Sequence, residues 1–340
     1  MSDLFDKLLI IRSPGIGPAK YADLIRRFGS VSAAAESLHV DTDLRDAVLR
    51  EMDYAQSIGV RYVTDEDDFY PQNLRKIKNH PPIISVRGNL ETLKKKTISI
   101  VGTRHATAAG MEFVANIAQR ANENGYAVAS GMAIGTDTAA HMGAIRSGVQ
   151  HSTIAVLAGG VDYIWPLENE SLYWEIVARG AIISEMPVGF VPVAKNFVQR
   201  NRWVAGICEK LILGEADLKS GSMATARFAI DYGVDVWAIP SHPSDLRAVG
   251  PNSLIRNGNA KLCMGADDFF KKSEKDDNKN KNQLKNDSEI SLIDKIGTVP
   301  VSESVLTELV KKSVSEIKSE LVVLELQGLI RKVDGGYVRM

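Results

Sequence analysis

Cysteine is scarce: Cys208 and Cys263 are the two in 340 residues, and no C-x-x-C pair is present. That argues against a zinc finger and against a disulfide framework. An excess of charge of either sign is also lacking. Lys plus Arg number 41 and Asp plus Glu 42, for a formal net charge of -1. A uniformly basic nucleic-acid binder and an acidic disordered chain are both excluded, so any polyanion must be met by a local patch. No run reaches 18 consecutive apolar residues, so no membrane span is expected. The opening Met1-Ser2-Asp3-Leu4-Phe5-Asp6 is acidic and has neither the basic start nor the apolar run of a signal peptide. A reducing cytoplasm is the expected setting. No G-x-x-x-x-G-K-[ST] loop occurs, and no strand leads into G-x-G-x-x-G with a following acid. P-loop hydrolysis and dinucleotide binding therefore have no support. What is present is a 44% hydrophobic chain, long enough for a sizeable core and two or three domains.

Composition divides the chain. Residues 1–74 read as a small helical domain, with Leu4, Leu8 and Ile11, then Leu24, Ile25 and Phe28, at helical spacing. Between them Ser13-Pro14-Gly15-Ile16-Gly17-Pro18 reads in two ways. It is a turn presenting amides to a phosphate, as in a helix-hairpin-helix module, or a tight connection packed over Ile16. Residues 75–270 alternate apolar runs with helical patterns. The runs fall at 83–86, 98–101, 127–129, 153–157, 181–183, 211–213 and 234–239. Near-continuous apolar strands alternating with helices predict an α/β fold with a doubly wound, mostly parallel sheet. Residues 271–287 are polar and of low complexity and read as a flexible linker. Residues 288–340 show three helical segments, the third opened by the capping box Ser313-Val314-Ser315-Glu316, and then a hairpin. That pattern predicts a winged helix.

Ligands of doubly wound sheets sit outside the carboxyl ends of the strands. Gly102-Thr103-Arg104 follows the run 98–101 there, and Arg104 supplies a permanent bidentate phosphate donor. Ser130-Gly131 leads a second turn, Ala158-Gly159-Gly160 a third, and Lys219-Ser220-Gly221-Ser222 a fourth that opens a helix. Several such turns suggest a polyanion track; read alone, their glycines only permit close turns. Lys195-Asn196-Phe197-Val198-Gln199-Arg200-Asn201-Arg202-Trp203 carries three cations and no acid, interleaved with aromatics. Cations suit phosphates and an aromatic ring gives a sequence-tolerant platform for a base, so this reading outweighs one of a core aromatic with solvated arginines. Asp137 and His141 share a helix face, but no third metal ligand is evident, and a helix cap with a packed histidine is the better reading.

Taken in order, Ile100-Val101-Gly102-Thr103-Arg104, Ser130-Gly131-x-Ala133-x-Gly135-x-Asp137-x-x-Ala140-His141, Pro166-x-x-Asn169, Ser184-Glu185-x-Pro187, Phe197-x-x-Arg200-Asn201-Arg202-x-x-Ala205-Gly206 and Lys219-Ser220-Gly221-Ser222 form a specific set. The set resembles the DNA-processing protein A family (DprA/Smf) over about residues 75–270. The resemblance implies an extended Rossmann-like domain that binds single-stranded DNA, usually as a homodimer. It further implies protection of incoming strands and loading of the RecA recombinase in natural transformation. Carried over, the DNA-binding set is Gly102, Thr103, Arg104, Ser130, Gly131, Lys195, Phe197, Arg200, Asn201, Arg202, Lys219, Ser220, Gly221 and Ser222. No cofactor, metal or catalytic residue is implied. The chain departs from the family pattern at Ile134 and Thr136, where Ala-Arg-Gly-Ile-Asp is common, and the departure removes one cation. It departs again at Trp165-Pro166, usually Tyr-Pro, and at Ile239-Pro240-Ser241, usually Val-Pro-Gly.

Two other functions compete with this one. A nucleotide-processing hydrolase of the lysine-decarboxylase-like type would need Pro-Gly-Gly-x-Gly-Thr and a catalytic glutamate. Ala158-Gly159-Gly160-Val161-Asp162 only echoes that turn, and the glutamate is absent. A transcription regulator would have the winged helix alone in its favour.

Overall fold

A computed structural model describes residues 2–270, 292–297, 299–310 and 312–340. The predicted linker at 271–287 lies outside the described residues. The chain divides into two compact units, Met1–Phe270 and Lys271–Met340.

The first unit begins with four helices, α1 (Ser2–Arg12), α2 (Pro18–Phe28), α3 (Val31–Ser37) and α4 (Thr42–Ser57). Ser30 and Asp41 cap α3 and α4, each accepting a backbone N–H three residues on. Ile16 packs into the small cluster around Ile10, Tyr21, Ala34 and Ala35, as a tight connection requires. A half-buried network ties these helices to the sheet and its loops. Arg12 donates to both Glu51 oxygens at 3.0 and 2.9 Å and to the Glu185 carbonyl at 3.3 Å, and the Tyr62 hydroxyl donates to Glu51 at 2.9 Å.

The sheet has nine strands: β1 (Arg61–Thr64), β2 (Ile83–Gly88), β3 (Thr97–Val101), β4 (Ala127–Ser130), β5 (Thr153–Val156), β6 (Ala181–Ser184), β7 (Lys210–Leu213), β8 (Asp235–Ala238) and β9 (Lys261–Leu262). Their order is β1-β2-β6-β5-β4-β3-β7-β8-β9, with β1–β2 and β2–β6 antiparallel and the rest parallel. The seven runs predicted as strands are all present. β1 is an addition: it lies inside the stretch read as helical, so the sheet begins before residue 75. Its four residues are too short and too mixed in polarity to show a period.

Alternation along the central strands separates two apolar layers. Ile98, Ile100, Val128 and Ile212 face one side, under α6 (Ala108–Glu123) and α7 (Thr136–Arg146). Val101, Ala129, Leu211 and Leu213 face the other, under α9 (Ala194–Gly206) and α10 (Gly221–Asp231). α5 (Gln72–Arg75), α8 (Glu170–Arg179) and α11 (Val249–Arg256) complete the layers. Each fully buried Val or Ile contributes about 1.5–3 kcal/mol. α6 and α7 lie close because both present alanines, and Gly143 leaves no side chain against the Ala115 backbone. From β3 the chain winds outward through β4, β5 and β6, then returns to β7 on the other side of β3. That reversal puts the topological switch point at the carboxyl ends of β3 and β7.

The second unit has a one-turn 3-10 helix at Leu292–Lys295, then α12 (Glu303–Val310), α13 (Val314–Leu326) and the hairpin β10 (Ile330–Val333)–β11 (Gly336–Arg339). The capping box is formed: Ser313 N–H donates to Glu316 at 2.9 Å, and Glu316 N–H returns to Ser313 Oγ at 3.4 Å. Leu292, Ile296, Leu306, Ile317, Leu321, Ile330 and Tyr337 make a core of their own. No helix of the described residues is long and apolar enough to cross a membrane.

Candidate nucleic-acid interface

A cleft of about 310 Å³ opens at the switch point. Gly102, Thr103 and Arg104 form one wall, and the first turn of α10, with Ser220, Gly221 and Ser222, forms another. Phe197, Val198 and Asn201 enter from α9, and Gly131 and Arg200 lie in the floor. Ser220 caps α10, accepting Met223 N–H at 3.3 Å, and its hydroxyl shares a 2.9 Å hydrogen bond with Ser222. The leading amides of α10, at Gly221 and Ser222, are the orphan donors that a helix start offers to an anion.

Arg104 is exposed, and its guanidinium carbon sits 5.1 Å from the centroid of the Trp165 ring. Trp165 meets Phe197 edge to face, with centroids 4.6 Å apart. A permanent cation and a half-buried ring therefore stand side by side at the mouth.

The floor is built differently. Arg200 is 6% exposed, and its Nη1 donates to the carbonyls of Gly131 at 2.6 Å and Val156 at 2.5 Å. Asp137 is buried in the first turn of α7 and accepts the N–H groups of Gly131 at 3.2 Å and Ala133 at 3.3 Å. Gly131 is thus held through both its N–H and its C=O by a pair of opposite charges. Burial pushes the Asp137 carboxyl up, against the pull of Arg200 and the two amides. A Cβ on Gly131 would overlap the Arg200 guanidinium. We expect Gly131→Ala to cost about 1–3 kcal/mol through this overlap, read as a lower midpoint in chemical denaturation.

His141, one turn beyond Asp137, is buried and bonds Thr153 Oγ1 through Nδ1 at 2.7 Å. Burial and the Arg200 charge hold its pKa down at about 3. The folded chain keeps His141 neutral while the unfolded chain protonates it near pH 6.5, so stability is full above that pH. It falls as pH drops from about 6.5 toward 3, by at most about 1.4 kcal/mol per pH unit. His141→Gln should flatten that limb of the stability–pH curve. His141 is packed as expected, but Asp137 is not the expected helix cap: α7 starts after Gly135 with no side-chain cap, and the Asp137 carboxylate holds the preceding turn instead. The described residues contain no group of three or more possible metal ligands.

The family model described as DNA recombination-mediator protein A matches residues 61–274. A DprA-like N-terminal HHH domain matches residues 1–40, and a DprA winged helix domain matches residues 279–336. The chain belongs to the DprA family. Protein Smf of Synechocystis sp. is 37% identical over 207 residues, 60% of this chain and 52% of that protein, so the chain spans about half of that relative's length. The DNA processing protein DprA of Streptococcus pneumoniae is 37% identical over 204 residues, 60% of this chain and 71% of the relative. An X-ray structure of the pneumococcal DprA matches with a TM-score of 0.67 at 28% identity, covering 79% of this chain and 98% of that one. DNA processing protein A of Helicobacter pylori, from a structure that concerns its single-stranded DNA binding mode, matches with a TM-score of 0.56 at 30% identity, over 62% of this chain and 94% of that one.

Within this DprA frame the predicted residues separate. Gly102, Thr103, Arg104, Gly131, Phe197, Arg200, Asn201, Ser220, Gly221 and Ser222 line one cleft. Four do not line it. Ser130 is fully buried and donates to the Ile100 carbonyl at 2.7 Å, so it closes the β3–β4 edge. Lys195 and Lys219 are exposed outside the cleft lining. Arg202 turns to the flank of α9, donating to the Tyr232 hydroxyl at 3.3 Å with its guanidinium 4.9 Å from the Trp203 ring. Arg200 needs correction in kind: it is a buried clamp on Gly131 rather than an exposed phosphate donor. Trp165 is not among the predicted residues. Its departure from the usual Tyr-Pro is the signal available in the sequence.

Proposed function

We propose that this chain binds single-stranded DNA along the switch-point cleft. In this reading it protects incoming strands, and acts as a homodimer in the cytoplasm that loads RecA in natural transformation. The observation that carries the reading is the meeting of Arg104, the leading amides of α10 and the Phe197 ring in one open cleft. Phosphates have cationic and amide donors there, and one base has a sequence-tolerant platform. A duplex keeps its bases stacked and would leave that platform unused. The Helicobacter relative, whose structure concerns single-stranded DNA binding, supports the same reading. The deciding measurement is binding of the purified chain to labelled single- and double-stranded oligonucleotides across a salt series. Preference for the single strand, with affinity falling as salt rises, is expected; equal binding to both would reject it.

The winged helix is assigned an accessory part. Residues 288–340 hold seven cations against eight acids. α13 carries Glu316, Glu320 and Glu325 beside Lys318, so a phosphate backbone would be repelled about as much as attracted. Residues 1–270 are expected to keep nearly the whole single-strand affinity of the full chain. A folded 1–270 fragment that has lost most of it would return the domain to direct DNA binding.

The hydrolase alternative has its own check. Incubation with ATP and nucleoside monophosphates is expected to release neither phosphate nor free base. Sustained release that depends on the glycine turns would favour the enzyme.

A further inference from the structure

We propose that Trp165 is a positioning residue that couples the phosphate-binding and base-stacking halves of the cleft, an inference that rests on the single-strand reading above. Trp165 belongs to neither half. It sits in the segment between β5 and α8, whereas Arg104 follows β3 and Phe197 is on α9. Its ring nevertheless touches both: the Arg104 guanidinium lies over it at 5.1 Å and Phe197 meets it at 4.6 Å.

The segment that carries the ring is itself pinned. Ser184 Oγ donates to the Gly159 carbonyl at 2.6 Å, and Gly160 N–H donates to the Phe190 carbonyl at 2.9 Å. Beyond the ring, Asn169 Nδ2 donates to the Met132 carbonyl at 2.9 Å. The chain is held on both sides of the indole, which stands between two side chains from different elements. A long arginine loses rotamer freedom when it grips a ligand, and holding it in place beforehand reduces that loss. Trp is the strongest ring partner for a guanidinium. Because Arg104 covers the ring of Trp165, base stacking falls to Phe197, and Trp165 acts by fixing the spacing from phosphate donor to base platform. Arg104 and Phe197 then bind as one unit, and removing the ring between them should cost what removing Arg104 costs.

The test uses the full chain and a fluorescein-labelled oligothymidylate, with anisotropy read over a salt series. Trp165→Leu is expected to weaken binding by about tenfold, the low end of the range for one lost hydrogen bond to a charged group. It should also flatten the log–log salt slope by about 0.7, as Arg104→Ala does, because the phosphate contact is lost with the ring. The double variant is expected to bind no more weakly than the worse single one. Trp165→Phe should recover most of the affinity lost in Trp165→Leu. Should Trp165→Leu melt early, the free protein still decides. Arg104→Ala should shift the tryptophan emission of the wild-type chain and leave that of Trp165→Phe unmoved. Wild-type affinity in Trp165→Leu, a double variant whose loss is the product of the single losses, or an emission unchanged by Arg104→Ala would each overturn the proposal. A wild-type chain that shows no preference for the single strand is a different result, and it removes the functional reading on which the proposal rests.

Discussion

Arg104→Glu is expected to weaken binding of a single-stranded oligonucleotide by roughly ten- to a hundredfold, the range of one lost hydrogen bond to a charged group. The position follows from the fold. β3 is the central strand of the parallel sheet, and the chain reverses its winding direction around it, so the turn after Val101 opens into the crevice where anions collect. Arg104 is exposed in that turn, over Trp165 and beside Phe197. Reversing its charge removes one released counterion per bound strand, so the log–log slope should become shallower by about 0.7. The effect should also shrink in high salt, where exposed charges are screened. Arg104 lies in a surface turn outside the apolar layers, so the melting temperature should stay close to that of the wild type. A folded Arg104→Glu variant with unchanged affinity and slope would take Arg104 out of the interface.

The parallel strands were legible because both sheet faces are covered. Ile98-Ser99-Ile100-Val101 and Leu211-Ile212-Leu213 sit between helix layers, so they read as apolar runs with little alternation. β1 and β9 escaped for the opposite reason. They lie at the sheet edges, and Arg61-Tyr62-Val63-Thr64 and Lys261-Leu262 are too short to carry a period. The cleft was legible as a set of turns, because glycine and serine after an apolar run mark the end of a strand. Which side chains of α9 reach the cleft was not. Phe197, Val198 and Asn201 line its walls, and the buried Arg200 and Val204 line its floor. Asn196 and Trp203 are buried outside it. The cations at 195, 200 and 202 look like one basic patch in sequence, and the helix distributes them among an exposed edge, the buried face and a flank. The spacing of Asn196, Arg200, Trp203 and Val204 is the available sign, since it is the inward stripe of an amphipathic helix with an arginine in it.

That inward arginine carries the second large expectation. Arg200→Met should destabilise the fold by about 2–5 kcal/mol, because the buried Gly131 and Val156 carbonyls lose their charged donor and the buried Asp137 loses the cation that favours its charge. The pair is more than an electrostatic match. Arg200 holds the Gly131 carbonyl while Asp137 holds the Gly131 N–H, so losing one partner frees the turn that floors the cleft. Single-strand affinity should therefore fall as well, as a consequence of the displaced turn. The pH dependence separates this from simple loss of packing. Burial already pushes the Asp137 carboxyl up, and Arg200 is the first of the groups pulling it down. Without Arg200 the folded-state pKa rises further above the unfolded value, so the folded chain binds the extra proton. The deficit should be small below the unfolded pKa and grow as pH rises through the folded one. Asp137→Asn added to Arg200→Met should recover part of the stability at neutral pH, since the unpaired charge is gone. The measurement is urea unfolding of the single and double variants at two pH values, with oligonucleotide binding on the same samples. If Arg200→Met melted like the wild type, lost its affinity and gave a flatter salt slope, Arg200 would be a direct phosphate ligand and the buried clamp would be the wrong account of it.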